Sequence, residues 1–260
     1  MEKKEERKLD LFILLLMPLV STILSLSFKT NFLVSTLLFF GLPAAYLSYK
    51  NKDSVKKSAL FSLIFSLPLT LMIDYIGTDT KTWLINFSVF DYRLFGKIAL
   101  EQFVWSFLSV YLIVIFYEYF FEKGKEKLID KKMKYFVMGV SVVLLLFFIF
   151  LFTRPELLKL PYFYLIVGCV LTVIPGLTTF SFFPKLFSKF VKAGSYFFVL
   201  FLLEELVGIH LNHWSFPGNQ FIGWVNLFGF QFPFEELFFF IILGAIGVLS
   251  YYEFFDDDRK

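Results

Sequence analysis

Residues 134–153 read KYFVMGVSVVLLLFFIFLFT, with one charge at the first position and none after it. At ~1.5 Å of helical rise per residue, such a run crosses the ~30 Å apolar core of a bilayer. Working outward, seven more runs of this kind cover 10–28, 31–49, 58–77, 98–121, 160–182, 193–211 and 232–254. The chain is 58% hydrophobic, holds 40 Phe in 260 residues and has a mean hydropathy of +0.71. A soluble core of this size has no use for so much apolar surface. The expected fold class is an all-α integral membrane protein with about eight transmembrane helices.

The loops give an orientation. With the N-terminus inside, the inner loops and ends carry 19 Lys and Arg and the outer loops carry 6. That asymmetry places both termini in the cytoplasm of a multi-pass cell-membrane protein. The opening MEKKEERK and its apolar run have no clear small-residue cleavage site, so a retained first helix is expected rather than a signal peptide. The lone Cys169 excludes a disulfide or a cysteine metal cluster within one chain.

A segment of the chain occurs twice. The first copy has Asp74-Tyr75-Ile76-Gly77, Trp83, Leu94-Phe95-Gly96, Leu100-Glu101-Gln102 and Tyr117-Glu118. The second has Glu205-Leu206-Val207-Gly208, Trp214, Leu227-Phe228-Gly229, Phe234-Glu235-Glu236 and Tyr252-Glu253. The repeat divides the chain into a first four-helix unit (1–121), a basic cytoplasmic linker (122–133) and a second four-helix unit (134–260). Four helices per unit makes the two parallel, related by an axis along the membrane normal. The linker reads as a solvated loop, and Asp256-Asp257-Asp258 as a solvated tail.

Acids are costly in lipid, so their repetition points to a site. Asp74 and Glu205 fall at the outer ends of helices three and seven. Glu101 and Glu235 fall at the outer starts of helices four and eight, four residues before Trp105 and Phe239. If the halves pack symmetrically, the acids face one another across a central cavity. A poorly solvated carboxyl beside an aromatic ring suits a general acid. A Glu in the first turn of a helix is also a simple cap, satisfying free amides and the helix dipole. Glu118 and Glu253 lie about 25 Å further along their helices, and are expected as an interfacial belt beside Tyr117 and Tyr252. His210 and His213 lack metal-ligand spacing, and a hydrogen bond near Glu205 is expected of them. No metal site is expected.

The stretch Trp214-Ser215-Phe216-Pro217, Gly229 and Pro233-Phe234-Glu235-Glu236-Leu237-Phe238-Phe239-Phe240 resembles the small membrane-embedded lycopene cyclase domain, which occurs as two subunits or as one fused chain. Its hallmark is Pro-x-Glu-Glu followed by aromatic residues, once per half. The resemblance implies cofactor-independent cyclisation of the end group of a linear isoprenoid or carotenoid, by proton addition and proton loss. It implies Glu235, Glu236 and Glu101 as proton donors and acceptors, supported by Glu205 and Asp74. Trp83, Trp105, Trp214, Phe239 and Gln102 would line the substrate path. The first copy departs from the hallmark: Ala99-Leu100-Glu101 lacks the proline, and Gln102 stands where the second Glu belongs. A chain lacking that Glu could act on one end only, take another isoprenoid, or lack catalysis.

The implied partners are the apolar substrate and the bilayer, with no nucleic acid. No strand-borne Gly-x-Gly-x-x-Gly suggests a dinucleotide, so no cofactor is expected. A transporter and a non-enzymatic lipid-binding protein are the other readings. Against transport stand acids placed near the outer face rather than the midplane, and Gly/Pro breaks that do not recur in matching helices. Paired Asp-rich segments for a magnesium diphosphate are absent from the sequence, which sets aside a membrane prenyltransferase.

Overall fold

The computed structural model describes residues 2–122 and 133–253. Most of the basic linker and the triple-Asp tail lie outside the described residues. Among the described residues, seven helices are long and apolar enough to cross a membrane. They are α1 (Glu2–Phe28), α2 (Phe32–Lys50), α3 (Lys52–Asp79), α4 (Leu100–Phe120), α5 (Met133–Thr153), α6 (Phe163–Phe182) and α7 (Leu186–His210). The protein is therefore an all-α protein of multi-span membrane character.

The eighth apolar run does not form one long helix. A π-helical stretch, Glu236–Ile242, ends at Leu243, and a short helix α8 (Gly244–Tyr252) follows. Apolarity over 232–254 marks the run as buried, but hydropathy carries no information on whether the backbone winds without a break.

Helix α4 is the hub. Its turns from Ser109 to Glu118 are buried on every side, as befits a helix that is apolar all round. It pairs most extensively with α3, and it also packs on α7 and α8. Only 6% of the apolar window of α5 is buried, against 56% for α4. The most apolar run in the chain therefore lies on the outside of the bundle.

Helices α2 and α6 share an irregularity. Each winds as a π-helix for five residues, Leu37–Gly41 and Cys169–Val173. A proline follows at the second position of the next α-helical turn, Pro43 and Pro175. Proline brings no N–H and disfavours the preceding α-helical ladder, which a widened turn accommodates. The expectation that such breaks do not recur in matching helices is thus corrected.

Short strands gather at one end of the bundle. Arg93–Leu94 (β2) pairs with Ile98–Ala99 (β3), and Trp224–Leu227 (β5) pairs with Phe230–Pro233 (β6). Each hairpin turns on a Phe-Gly pair with both residues at positive φ, 51° and 72° for Phe95-Gly96, 53° and 85° for Phe228-Gly229. That backbone is the tight primed turn that suits the twist of paired strands. Leu84–Ile85 (β1) crosses to pair with Trp214–Ser215 (β4), so the two loop regions are joined by main-chain hydrogen bonds.

Candidate functional site

Beneath the strands lies a cavity of about 230 Å³. Its wall is mainly aromatic and aliphatic, with Asp74, Gln102, Glu204, Glu205 and Glu236 as its acidic and amide groups. No Lys, Arg or His lines it among the described residues.

Each of the four carboxyls accepts a hydrogen bond from an aromatic side chain. Trp83 Nε1 donates to Asp74 Oδ1 at 3.0 Å. Trp214 Nε1 donates to both oxygens of Glu205, at 3.1 and 3.2 Å. Trp105 Nε1 on α4 donates to Glu204 on α7 at 2.8 Å. Tyr164 on α6 donates its O–H to Glu236 Oε2. A buried carboxyl without such donors would carry a large desolvation cost.

The two Trp–acid pairs are built alike. A Cβ on Gly77 would stand 2.4 Å from the Trp83 ring, and one on Gly208 would stand 2.2 Å from the Trp214 ring. Only glycine lets each indole lie flat on its helix and turn its N–H back onto the acid three residues earlier. This is the physical content of the Asp-x-x-Gly and Glu-x-x-Gly spacings.

The repeat breaks at Gln102. Its Nε2 donates to Asp74 Oδ1 at 3.0 Å, so that oxygen takes donors from both Trp83 and Gln102. In the second half the corresponding position is Glu236, which lines the same cavity as Glu205.

Aromatic rings close the space. Trp105 stacks on Phe240 at 5.3 Å and meets Phe40 edge-on at 6.2 Å. Tyr164 meets the Trp83 ring edge-on at 5.2 Å, and Phe32 meets Trp214 edge-on at 5.6 Å. Phe239 lies against Gly168, where a Cβ would stand 2.2 Å from its ring.

Glu101 and Glu235 occupy a different place from the one expected. Neither lines the cavity. Glu101 accepts from Ser88 Oγ at 2.9 and 2.8 Å, from the Val89 amide, and from the Phe90 amide at 3.4 Å. Glu235 Oε1 accepts from the Ile222 amide at 2.7 Å, and its Oε2 has no partner among the described residues. Both sit at the start of their helical segments and accept hydrogen bonds from the preceding loop rather than from the first amides of their own segments. Trp105 follows Glu101 by one helical turn, yet its N–H serves Glu204 instead.

Glu118 and Glu253 depart from the expected interfacial belt. They are buried, 8% and 2% exposed, inside the bundle at the end opposite the strands. Tyr117 donates to Glu253 Oε1 at 3.1 Å, and Tyr252 donates to Glu118 Oε1. Lys57 Nζ lies 3.0 Å from Glu118.

His213 bonds away from Glu205. Its Nε2–H donates to the Thr30 carbonyl at 2.8 Å, and its Nδ1 is buried without a partner among the described residues. Burial pushes the ring below its ordinary value, partly offset by that hydrogen bond. No cluster of three or more metal-ligating side chains occurs among the described residues.

Sequence reasoning missed Tyr164, which lies in a helix that carries none of the repeated acid motifs. It gave Glu204 only a secondary place beside Glu205. The Glu204-Glu205 doublet in an apolar run is the signal for the second; nothing local in the sequence signals the first.

No family model matches this sequence, and neither a curated protein nor a solved structure is significantly similar to it.

Proposed function

We propose that the protein is a membrane-embedded acid–base cyclase of a linear isoprenoid, of the kind the lycopene cyclase domain performs. The observation that carries this reading is the composition of one cavity: four carboxyl groups, aromatic walls and no lining cation. In this proposal the chain spans the cell membrane eight times as two parallel four-helix repeats, with both termini in the cytoplasm. The substrate is an apolar hydrocarbon that reaches the cavity from the bilayer.

The chemistry needs one protonated and one ionised carboxyl. The acid O–H gives its proton to the terminal C=C, forming a C–H bond and a tertiary cation. A neighbouring C=C attacks that cation and closes the ring, moving the charge onto the ring. A carboxylate removes the adjacent ring proton, and the C–H electron pair becomes the new C=C. The product is an isomer of the substrate, with no electrons gained or lost. Trp83, Trp105, Trp214, Phe239 and Phe240 line the cavity and would steady the cation by their π-electrons without adding to it, as water would. Glu204, Glu205, Glu236 and Asp74 form the acid set. Glu101 and Glu235 act one step removed, by fixing the loops that roof the cavity.

The test is expression in bacterial cells that accumulate lycopene, with chromatography of the extracted pigments. A ring-bearing carotene supports the cyclase; unchanged lycopene with the protein folded in the membrane removes it. A second reading, proton-coupled transport, draws on the matching π-helical breaks before Pro43 and Pro175 in α2 and α6. It predicts proton flux in proteoliposomes and no change in pigment.

A further inference from the structure

Resting on the cyclase reading, we infer that the proton is delivered by Glu236 and removed by Glu205, and that Asp74 and Gln102 form a positioning pair that exchanges none. Gln102 has no carboxyl to ionise, and its amide is committed to Asp74 Oδ1 at 3.0 Å. Trp83 takes up the same oxygen at 3.0 Å. Asp74 is thus held by two N–H donors from two elements and has no acidic partner of its own in the first half.

The second half is arranged otherwise. Tyr164 donates to Oε2 of Glu236, which leaves Oε1 to carry the proton that is given away. Trp214 bridges both oxygens of Glu205 at 3.1 and 3.2 Å, the symmetric grip that suits a carboxylate acting as acceptor. The two glutamates line one cavity, so the charge left when one loses a proton acts on the other across a poorly solvated space. Glu204, held by Trp105 across the halves, completes the set. Beside Glu236, the titratable groups that line the cavity are Tyr164 from α6, Glu204 and Glu205 from α7, and Asp74 from α3. Tyr164 is a positioning residue: its O–H orients Glu236, while its ring is pinned on Trp83 of the other half.

The experiment uses the full chain in proteoliposomes loaded with lycopene, with kcat and KM followed against pH for wild type, Glu236→Gln, Asp74→Asn, Gln102→Glu and Tyr164→Phe. Thermal melting in detergent checks the fold of each variant. Glu236→Gln should cut kcat by about 10²–10⁴-fold, the span of a lost general acid. Asp74→Asn should cost about 10-fold, mostly in KM, with the pH profile in place, as expected of lost orientation. Tyr164→Phe should lower kcat and move the acid limb of the profile, which a purely structural tyrosine would not do. Gln102→Glu should bring no new limb, and it decides the matter if Asp74→Asn fails to fold. Asp74→Asn matching Glu236→Gln in kcat, or a new limb in Gln102→Glu, would overturn the division of roles while leaving the cyclase intact. Wild type that forms no ring would instead overturn the cyclase itself, and this inference with it.

Discussion

Both ends of the bundle bury acids among aromatic rings, yet the two are organised differently. At the strand-free end, Glu118 has Lys57 at 3.0 Å and a tyrosine O–H, and Asp10 has Lys50 at 3.1 Å with two more tyrosines. At the cavity end the four acids have indole and phenol donors, no lining cation, and open space before them. Charge neutralised in a filled core is structure. Charge left to hydrogen-bond donors beside a void is capacity for chemistry, kept at a cost in stability. The same residue types, Glu with Tyr or Trp, serve both ends, so the distinction rests on the counter-charge and the space.

That contrast can be broken first at the strand-free end. Glu118→Ala takes the carboxylate away from Lys57 and Tyr252 and should cost about 3–5 kcal/mol, as loss of one partner of a buried pair does. Unfolding in mild detergent measures it; a loss below about 1 kcal/mol would mean the ion pair is not a stabilising element. Next, Gly208→Ala pushes a methyl into the Trp214 ring and should cost about 1–3 kcal/mol by overpacking. It should also lower cyclisation by turning the indole N–H from Glu205, and a variant with full turnover would show that this bond is idle. Glu205→Gln keeps the volume and one oxygen that can accept from Trp214 Nε1, while its NH2 cannot accept, so its melting point should move by the equivalent of about 1 kcal/mol. A loss as large as that of Glu118→Ala would erase the distinction between the two ends.

The smallest effect belongs to His213. Its folded-state value lies below the ordinary 6.5 because of burial, so the unfolded chain binds the proton more readily. Its contribution to stability is complete above about 6.5 and fades as the pH falls toward the folded-state value. A melting curve that stays flat from neutral to mildly acidic pH in wild type, or an unaltered slope in His213→Gln, would contradict this.

Much of the fold was legible because a bilayer fixes the length of an apolar helix. The runs 134–153 and 98–121 agree with Met133–Thr153 and Leu100–Phe120 to within two residues. Hydropathy could not show the break at Leu243, since a π-turn buries its side chains as an α-turn does. Among candidate site residues, the repeat led directly to Asp74, Glu205, Trp83 and Trp214, because a Trp nine residues past its acid folds back onto it. It could not tell Glu235 from its neighbour Glu236, as adjacent helical residues point about 100° apart and only packing chooses which one meets the cavity. The same limit hid the partner of Trp105, which is 99 residues away. Tyr164 was hidden by distance as well, 72 residues from the carboxyl it holds.

The strand pair between Leu84–Ile85 and Trp214–Ser215 bears on how such a chain could be encoded. Its partners come from opposite halves of the polypeptide, as do the crossed tyrosine–glutamate bonds at the far end. Instructions for docking are therefore written into both ends of each half, apart from the tether that joins them. A gene cut within codons 123–132 would make two products that each carry the other's address, and co-expression of such fragments should restore the assembled protein.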